Sequence, residues 1–284
     1  MQPDRLVPIP IESLPALQQL YRRDWPQHEI VYNCLQNYIE WLRIDRKLKD
    51  FSVFSLNDTW RENGTFIIQD RYELFFHTLA HINDTLTRAL SLVDWDYSWK
   101  MTVYYPRHRS SVLETIKKHN LQIQYEFCTE IMYLSKENAL RFDVTIPHNL
   151  QLRTLTSEDA VKANLLWPFR AVGSEFLLKR LASWNPSVGL FDKTTDEMVA
   201  WCFRLQCGAH GALEVPVEHR RKGYGTIVAK ALAKKLAEMG FNSYAFIHTQ
   251  NNPSREMFQK LGFEAIGILH WTRNEARKLV EWDR

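Results

Sequence analysis

The spacing of apolar residues is most regular in the second half of the chain. From residue 224 to residue 239, apolar side chains recur every three or four positions, at Val228, Leu232, Leu236 and Met239. This period predicts an amphipathic helix, and Gly240 is expected in the C′ position that ends it. Apolar runs of strand length, at 213–217 and 243–248, flank this helix and predict two strands.

Similar patterns extend over the rest of the chain and predict a mixed α/β fold. Apolar or alternating runs predict strands at 6–9, 51–56, 65–68, 101–105, 129–134, 150–155, 188–192 and 198–203. Helical spacing predicts helices at 30–44, 82–92, 110–121, 158–166 and 174–183, and one more that begins after Ser13. Asn63-Gly64 is a strong signal for a hairpin turn within a strand meander at 51–78. A last helix is expected between the turn at Asn251 and Gly262.

Two segments of the chain resemble each other and suggest an internal repeat. Residues 110–134 and 254–272 each predict a helix, a turn and then a strand. One hypothesis is that the first half is a degenerate copy of the second; the alternative is that helix–turn–strand units look alike in unrelated settings. The polar stretch 135–150 is expected to join two domains, at 1–145 and 146–284.

Charge and cysteine content exclude several classes of function. The chain has 36 basic and 33 acidic residues among 284, a net charge of +3 that is too balanced to indicate a nucleic-acid partner. Cys34, Cys128, Cys202 and Cys207 are scattered, so no spacing predicts a metal site. No apolar run reaches the length of a membrane span. Acidic residues near the N-terminus argue against a transit peptide, and a cytoplasmic location is expected.

A glycine-bearing basic turn precedes the helix at 224–239. It contains Arg220, Arg221, Lys222, Gly223 and Gly225. The N–H groups at a helix N-terminus have no partner within the helix and lie at the positive end of its dipole, so a phosphate or pyrophosphate fits there. Both glycines are expected to allow positive φ and close approach of a ligand. The pattern matches neither a P-loop nor a dinucleotide fingerprint.

The turn resembles the acyl-CoA-binding motif of the GNAT superfamily of N-acyltransferases, R/Q-x-x-G-x-G/A, which reads Arg220-x-x-Gly223-x-Gly225 here. A second signature of that superfamily, an Asn before a short helix that ends in Leu-Gly-Phe, resembles 251–263. The spacing of Ala200-Trp201, Gln206 and Arg220 is similar to the glycine N-acyltransferase-like branch. The resemblance implies a GNAT fold in the second half, with a possible degenerate GNAT-like domain before it that lacks a CoA site.

The resemblance also implies which residues hold acyl-CoA or acetyl-CoA as co-substrate. Backbone groups around Val215 and Val217 would bond the pantetheine arm as an added strand does. The turn residues would hold the pyrophosphate; they are Arg220, Arg221, Lys222, Gly223, Tyr224, Gly225 and Thr226. Asn251 and Ser254 would lie near the pantetheine.

The catalytic residues of relatives are only partly present. The glycine-conjugating branch places a glutamate base eleven residues before the motif arginine, where this chain has Ala209. A common tyrosine acid seven residues after the signature Asn is Phe258 here. His210 and His248 remain as candidate bases, because an imidazole titrates near neutrality. A structural histidine is the alternative for each. A glycine acceptor would need a cationic partner, with Arg204 or Arg153 as candidates.

These observations predict an acyl-CoA-dependent N-acyltransferase that acts on glycine or another small amine by direct attack in a ternary complex. The alternative is a non-catalytic acyl-CoA-binding or sensing protein on the same fold, suggested by Ala209 and Phe258. Neither nucleic acid nor membrane is expected as a partner, and the oligomeric state stays open. Glycine N-acyltransferases are typically mitochondrial, so that compartment also stays open.

Overall fold

A computed structural model describes residues 3–278. Its contacts divide the chain into two compact units. The first unit contains residues 3–129 and 268–278, and the second is Glu130–Gly267. The division between the units falls within the strands at 123–134 and 264–274, so each of these strands contributes residues to both units.

The first unit is a sheet flanked by helices. Its strands are β1 Leu6–Pro8, β2 Phe51–Leu56, β3 Phe66–Asp70, β4 Glu73–His77, β5 Lys100–Tyr104, the first half of β6 Ile123–Leu134 and the second half of β12 Glu264–Asn274. Its helices are α1 Leu14–Leu20, α2 Glu29–Ile44, α3 Trp60–Asn63, α4 Asp84–Leu90 and α5 Arg109–His119. The strand order is β1-β2-β3-β4-β5-β12-β6. Strand β4 pairs with β5 in parallel, whereas β1 to β4 form an antiparallel series.

The second unit has the same construction. Its strands are the second half of β6, β7 Leu150–Arg153, β8 Ser187–Asp192, β9 Met198–Arg204, β10 Ala209–Glu214, β11 Ser243–His248 and the first residues of β12. Its helices are α6 Lys136–Leu140, α7 Ser157–Leu166, α8 Ser174–Trp184, α9 Tyr224–Glu238 and α10 Asn252–Lys260. The strand order is β7-β8-β9-β10-β11-β6. Strand β10 pairs with β11 in parallel, and β7 to β10 are antiparallel.

The predicted internal repeat is confirmed by this order of elements. Apart from the short helices α3 and α6, each unit runs through a strand, two helices, three strands, a helix, a strand, a helix and a final strand. In both units the fourth strand pairs with the fifth in parallel. The predicted mixed α/β fold is therefore present, and it is built twice.

Helix α9 shows how the apolar period positions the second unit. Val228, Leu232 and Leu236 are fully buried against residues of β8 and β9. A neighbouring stripe consists of Ala229, Ala233 and Ala237. It packs in a different cluster, which includes Phe258. Two adjacent apolar stripes pack this helix against two clusters of the core, which fixes where its N-terminus lies. Met239, predicted on the apolar face, instead caps the helix and is 51% exposed.

Two local predictions are wrong, each for an identifiable reason. The strand predicted at 213–217 lies at Ala209–Glu214, because Pro216 has no N–H to donate and a 3₁₀ turn, Val217–His219, follows it. Asn63-Gly64 forms no hairpin turn; Asn63 ends α3 and Gly64, at φ 65°, is its left-handed C-cap. The polar stretch at 135–150 contains α6, which Ser135 caps by accepting a hydrogen bond from the Asn138 N–H.

The domains 1–145 and 146–284 stay a prediction, and the contacts of the chain group its residues differently. Residues 130–145 belong to the second unit. There α6 packs on α9, and the Lys230 and Lys234 ammonium groups donate to the carbonyls of Asp143 and Phe142. The end of β12 belongs to the first unit, because Ile268 and the residues after it pack with β5.

Candidate functional site

The N-terminus of α9 has the geometry of an anion site. Gly223 precedes the helix at φ 80°, ψ 3°, and a Cβ on it would meet nothing within 4 Å. The Ile227 N–H donates to the Gly223 carbonyl at 3.1 Å, which begins the helical ladder. The N–H groups of Tyr224, Gly225 and Thr226 precede that bond, so the helix itself offers them no acceptor. Three donors and the dipole therefore lie at one open turn.

The second glycine of the motif has a different role from the one predicted. Gly225 lies inside α9 and does not have positive φ. A Cβ there would come within 3.3 Å of Met257 Sδ and 3.4 Å of Val215 Cγ2. Gly225 therefore lets α9 pack closely against β10 and α10. The second left-handed residue of the turn is Arg221, at φ 61°.

The three basic residues of the turn are not equivalent. The Arg220 guanidinium donates from Nε to the Val215 carbonyl at 3.0 Å and from Nη2 to Glu214 Oε1 at 3.1 Å. It therefore ties the turn to the end of β10. Arg221 and Lys222 are exposed, and Lys222 Nζ is 6.0 Å from the centre of the Tyr224 ring. These two cations are the ones placed to meet an anion from solvent.

Strands β10 and β11 diverge next to this turn. The two strands pair in parallel near their starts, Ala209 with Tyr244 and His210 with Ala245. Beyond them the register of β10 against β9 shifts between Gly211 and Glu214, and Ala212 has φ 45°. A bulge turns the strand and releases backbone groups from the ladder. The carboxyl ends of the two strands therefore form the sides of a cleft.

Backbone groups predicted to meet pantetheine have partners in this structure. The Val215 N–H donates to Glu214 Oε1 at 3.3 Å, and the Val215 carbonyl accepts from Arg220. Val217 is 72% exposed, and its carbonyl accepts from the Arg220 N–H at 3.3 Å. A strand-like ligand at this edge would exchange some of these bonds for its own.

A depression of about 330 Å³ lies at the carboxyl end of β11. It is lined by Phe169, His248, Gln250, Asn251 and Pro253. The Gln250 N–H donates to His248 Nδ1 at 3.2 Å, so the neutral ring carries its proton on Nε2. The Asn251 side chain caps α10 by accepting from the Ser254 N–H at 3.2 Å. Asn251 and Ser254 thus form the start of α10 beside the depression.

The structure places His210 in the core, away from the depression. It is 3% exposed and packs edge-on against both Phe258 and Phe263, at ring distances of 5.9 and 6.0 Å. Neither ring nitrogen has a hydrogen-bond partner among the described residues. Burial lowers the pKa of His210 to about 3, so the ring is neutral at physiological pH. These observations weigh against His210 as the base.

The other positions weighed for catalysis are also buried or engaged. Ala209 is fully buried, so a glutamate there would be a carboxylate in the core. Phe258 is 4% exposed and packs in the cluster with Phe263. The Arg153 guanidinium is bidentate to Asp159, and Arg204 is 1% exposed with its guanidinium 4.6 Å from the Phe241 ring centre. Neither arginine is placed as an open carboxylate partner.

Glu214 has a role that the sequence did not indicate, and Phe169 has one that the sequence left open between a pocket wall and the core. Glu214 holds Arg220, and the only sequence signal for it was its place within an apolar run. Phe169 is a 60% exposed aromatic in the connection between α7 and α8, where Val172 is also exposed, as are Leu165 and Leu166 at the end of α7. Apolar residues in a loop are a visible signal, but which cleft they line depends on tertiary contacts.

Among residues 3–278, one compact group of ligand-type side chains was found, Glu197, Glu218 and His219, at the surface. His219 Nε2 lies 3.0 Å from Glu197 Oε1, which an ordinary ion pair explains. No helix in the same range is both long and apolar enough to span a bilayer.

Comparison with known proteins identifies the architecture. A family model described as FR47-like protein matches residues 187–273, which run from β8 to β12. A Drosophila protein solved by a structural genomics consortium is 22% identical, with 97% of this chain and 100% of that chain covered and a TM-score of 0.88. None of the curated protein sequences matches the chain.

Two further solved structures carry descriptive names. A GCN5-related N-acetyltransferase from Sphaerobacter thermophilus is 12% identical, with 99% of each chain covered and a TM-score of 0.60. A tandem GNAT protein from the clavulanic acid biosynthesis pathway is 14% identical, with 96% of this chain and 98% of that chain covered and a TM-score of 0.58. The chain therefore has the GCN5-related N-acetyltransferase (GNAT) fold, with the FR47-like region in its second half and a GNAT-like first half.

Proposed function

We propose that this protein is an acyl-CoA-dependent N-acyltransferase, which moves an acyl group from the CoA thioester to the amine of glycine or another small amine. The observation that carries the proposal is the open turn at Gly223, next to the cleft between β10 and β11. An anion site beside a cleft suits a ligand with a pyrophosphate at one end and a reactive group further along.

The pyrophosphate of CoA would lie on the N–H groups of Tyr224, Gly225 and Thr226. Arg221 and Lys222 supply charge from the solvent side, whereas Arg220 positions the turn through Val215 and Glu214. The pantetheine arm would then follow the edge of β10 at Val215 and Val217. It would pass the start of α10, at Asn251 and Ser254, towards the depression.

His248 is the one candidate histidine at the depression. Its Nδ1 accepts from the Gln250 N–H, so Nε2 is the donor of the neutral ring. A donor suits the developing oxyanion, or the thiolate that leaves, better than it suits removal of the amine proton. We therefore assign His248 as a hydrogen-bond donor or acid. Removal of the amine proton is left to solvent, with rate gained from orientation of amine and thioester.

The acceptor would enter over the connection between α7 and α8. Phe169 lines the depression from that side and brings an apolar wall to it. Because Arg153 and Arg204 are engaged or buried, selection of an acceptor carboxylate by an arginine is not favoured for either. An amine without a carboxylate therefore fits this site at least as well as glycine does.

The second candidate is a non-catalytic acyl-CoA-binding protein. It is favoured by the absence of a glutamate at Ala209 and of a hydroxyl at Phe258, both buried positions. The two functions share the anion turn and differ only in turnover.

Release of free thiol from acetyl-, benzoyl- and phenylacetyl-CoA separates them, with each thioester tested against a panel of small amines. Amine-dependent release is expected for the enzyme. Binding of CoA without release across the whole panel would establish the binding protein instead. If the protein neither binds CoA nor releases thiol, both functions are contradicted.

A further inference from the structure

Cys128 differs from the other cysteines of the chain in its surroundings. It is half-buried, whereas Cys34, Cys202 and Cys207 are buried. It lies on the first-unit half of β6. The adjacent Phe127, which points to the other face, stacks on Trp271 at 5.7 Å and 14°. The strand is therefore fixed by packing on one face, and the thiol lies on the other.

An imidazole faces this thiol. Cys128 Sγ lies 3.2 Å from His270 Nδ1. The His270 ring stacks on Tyr104 at 5.5 Å and 21°, and the Tyr104 hydroxyl bonds Thr272 Oγ1 at 2.7 Å. These contacts hold Nδ1 towards the sulfur. A cysteine paired with an oriented histidine is the arrangement that generates a nucleophilic thiolate.

Three charged or titratable groups face the pair. Arg109 from α5 brings Nη1 within 3.3 Å of His270 Nδ1 and forms an ion pair with Glu126 of β6; Tyr104 comes from β5. Burial first, and then Arg109, lower the pKa of His270, while Glu126 raises it. The lowered pKa keeps the ring neutral at physiological pH, so it holds the thiol proton only while the sulfur attacks. Arg109 can only donate, so Nδ1 is the unprotonated nitrogen of the neutral ring.

We propose that Cys128 is a site of oxidation by hydroperoxides, with His270 as the group that takes and returns its proton. The thiol proton moves to His270 Nδ1, and the sulfur attacks one peroxide oxygen. The S–O bond forms as the O–O bond breaks, so that sulfur is oxidised to a sulfenic acid and the peroxide is reduced. The departing hydroxide, or the alkoxide from an organic hydroperoxide, takes the proton from the imidazolium and leaves as water or an alcohol.

A hydroperoxide is the electrophile that this site suits. The sulfur is half-buried, so a small reagent has access where a large one has not. The remaining three thiols serve as internal references, because they are buried and burial raises the pKa of Cys202. All members of the cluster belong to the first unit, so this inference does not depend on the function proposed for the second.

The test uses hydrogen peroxide as the probe on the full chain. Sulfenic acid is trapped with dimedone and the labelled peptides are quantified by mass spectrometry. The same cysteine in the urea-unfolded chain gives the reference rate. Label at Cys128 is expected to form at least about tenfold faster in the folded chain, with little label on the other three thiols. His270→Gln should bring the rate down to the unfolded reference, while the matched change His148→Gln, at an exposed residue, should match the parent.

A Cys128 rate no greater than that of the unfolded chain would overturn the proposal, and so would a His270→Gln variant that keeps the parent rate. If His270→Gln does not fold, the comparison of the folded parent with the urea-unfolded chain decides alone, and a Cys128 rate that is not raised by folding overturns the proposal.

Discussion

The two units share one succession of elements, yet only the second presents an open turn after its fourth strand. In the second unit, Gly223 leads into a helix of 15 residues, and no side chain occupies the space beside it. In the first unit, the connection after β4 leads into α4, which has 7 residues. There the Arg107 guanidinium donates to the Ala80 carbonyl, and the Asn83 amide donates to the Arg107 carbonyl.

The parallel strand pair of each unit differs in the same way. Next to β4, the His77 ring contacts Tyr105 at 5.3 Å, His108 at 4.5 Å and Tyr21 at 5.4 Å. Next to β11, the equivalent region is the depression lined by His248 and Asn251. One copy of the fold has filled its cleft with its own aromatic rings, and the other has kept it open. If the proposed function is right, the fold alone does not make a CoA site, and an open turn and an open cleft are also required.

The largest expected effect comes from closing the open turn. Gly223→Val should reduce kcat/KM for acyl transfer by at least about a hundredfold, because a β-branched residue disfavours φ near +80° and its side chain covers the anion donors. Gly240→Val is the matched control, since Gly240 has φ 88° and equal open space at the other end of α9. The two variants should lose similar stability. Equal kinetic losses in both would show that the turn has no specific role.

The second effect concerns the filled cleft of the first unit. Burial lowers the pKa of His28, His77 and His108, to about 3 for His108. The folded rings stay neutral while the unfolded ones gain protons, so stability is present above pH 6.5 and is lost as pH falls below it. For His108 alone the loss between pH 7 and pH 5 is about 2 kcal/mol.

Urea unfolding at the two pH values measures this linkage. His108→Gln should remove about 2 kcal/mol from the difference between them, whereas His148→Gln, at an exposed site, should leave the difference unchanged. A stability that does not fall between pH 7 and pH 5 would mean that the histidine cluster is protonated or solvated in the folded protein.

A third effect separates the two candidate catalytic histidines. His248→Ala should lower kcat by about tenfold to a hundredfold with little change in affinity for CoA, since it removes a donor at the depression. His210→Phe should keep kcat and its pH profile within about twofold, because this ring acts as an aromatic core residue. Steady-state kinetics from pH 6 to pH 9 test both, and a lost ionisation in His210→Phe would reverse the assignment.

The smallest effect is expected at the basic residues. Arg220→Lys loses the paired bonds to Val215 and Glu214 and should weaken CoA binding by about tenfold. Arg221→Lys keeps a surface cation and should bind within about twofold of the parent. The shift in melting temperature at several CoA concentrations compares the affinities of the two variants. An equal loss of affinity in both would assign Arg220 to direct contact with the ligand.

Most of the fold could be predicted from the sequence, because periodicity and turn chemistry act locally. Strand β11 has the predicted bounds, and the Thr156 capping box and the end of α9 at Gly240 reflect side-chain and glycine preferences. The Asn63-Gly64 signal failed because the chain there continues α3 into a left-handed cap. The sequence could not show that β6 and β12 each contribute residues to both units, since strand partners far apart in sequence leave no periodic pattern.

The site was less predictable than the fold. The turn at 220–223 has a motif, so the sequence located it, but the motif treats both glycines alike although only Gly223 has positive φ. The sequence could not show that His210 packs against Phe258 and Phe263, because that contact joins residues about 50 positions apart. Residues such as Glu214 and Phe169 gain their roles from tertiary contacts alone.

Calorimetric titration with CoA tests the central claim most directly, because it counts sites. One CoA per chain is expected for the parent and for Gly240→Val, and none for Gly223→Val, since the proposed anion site is the open turn of the second unit and the corresponding turn of the first is filled. Two sites per chain, or one site that survives Gly223→Val, would contradict the account.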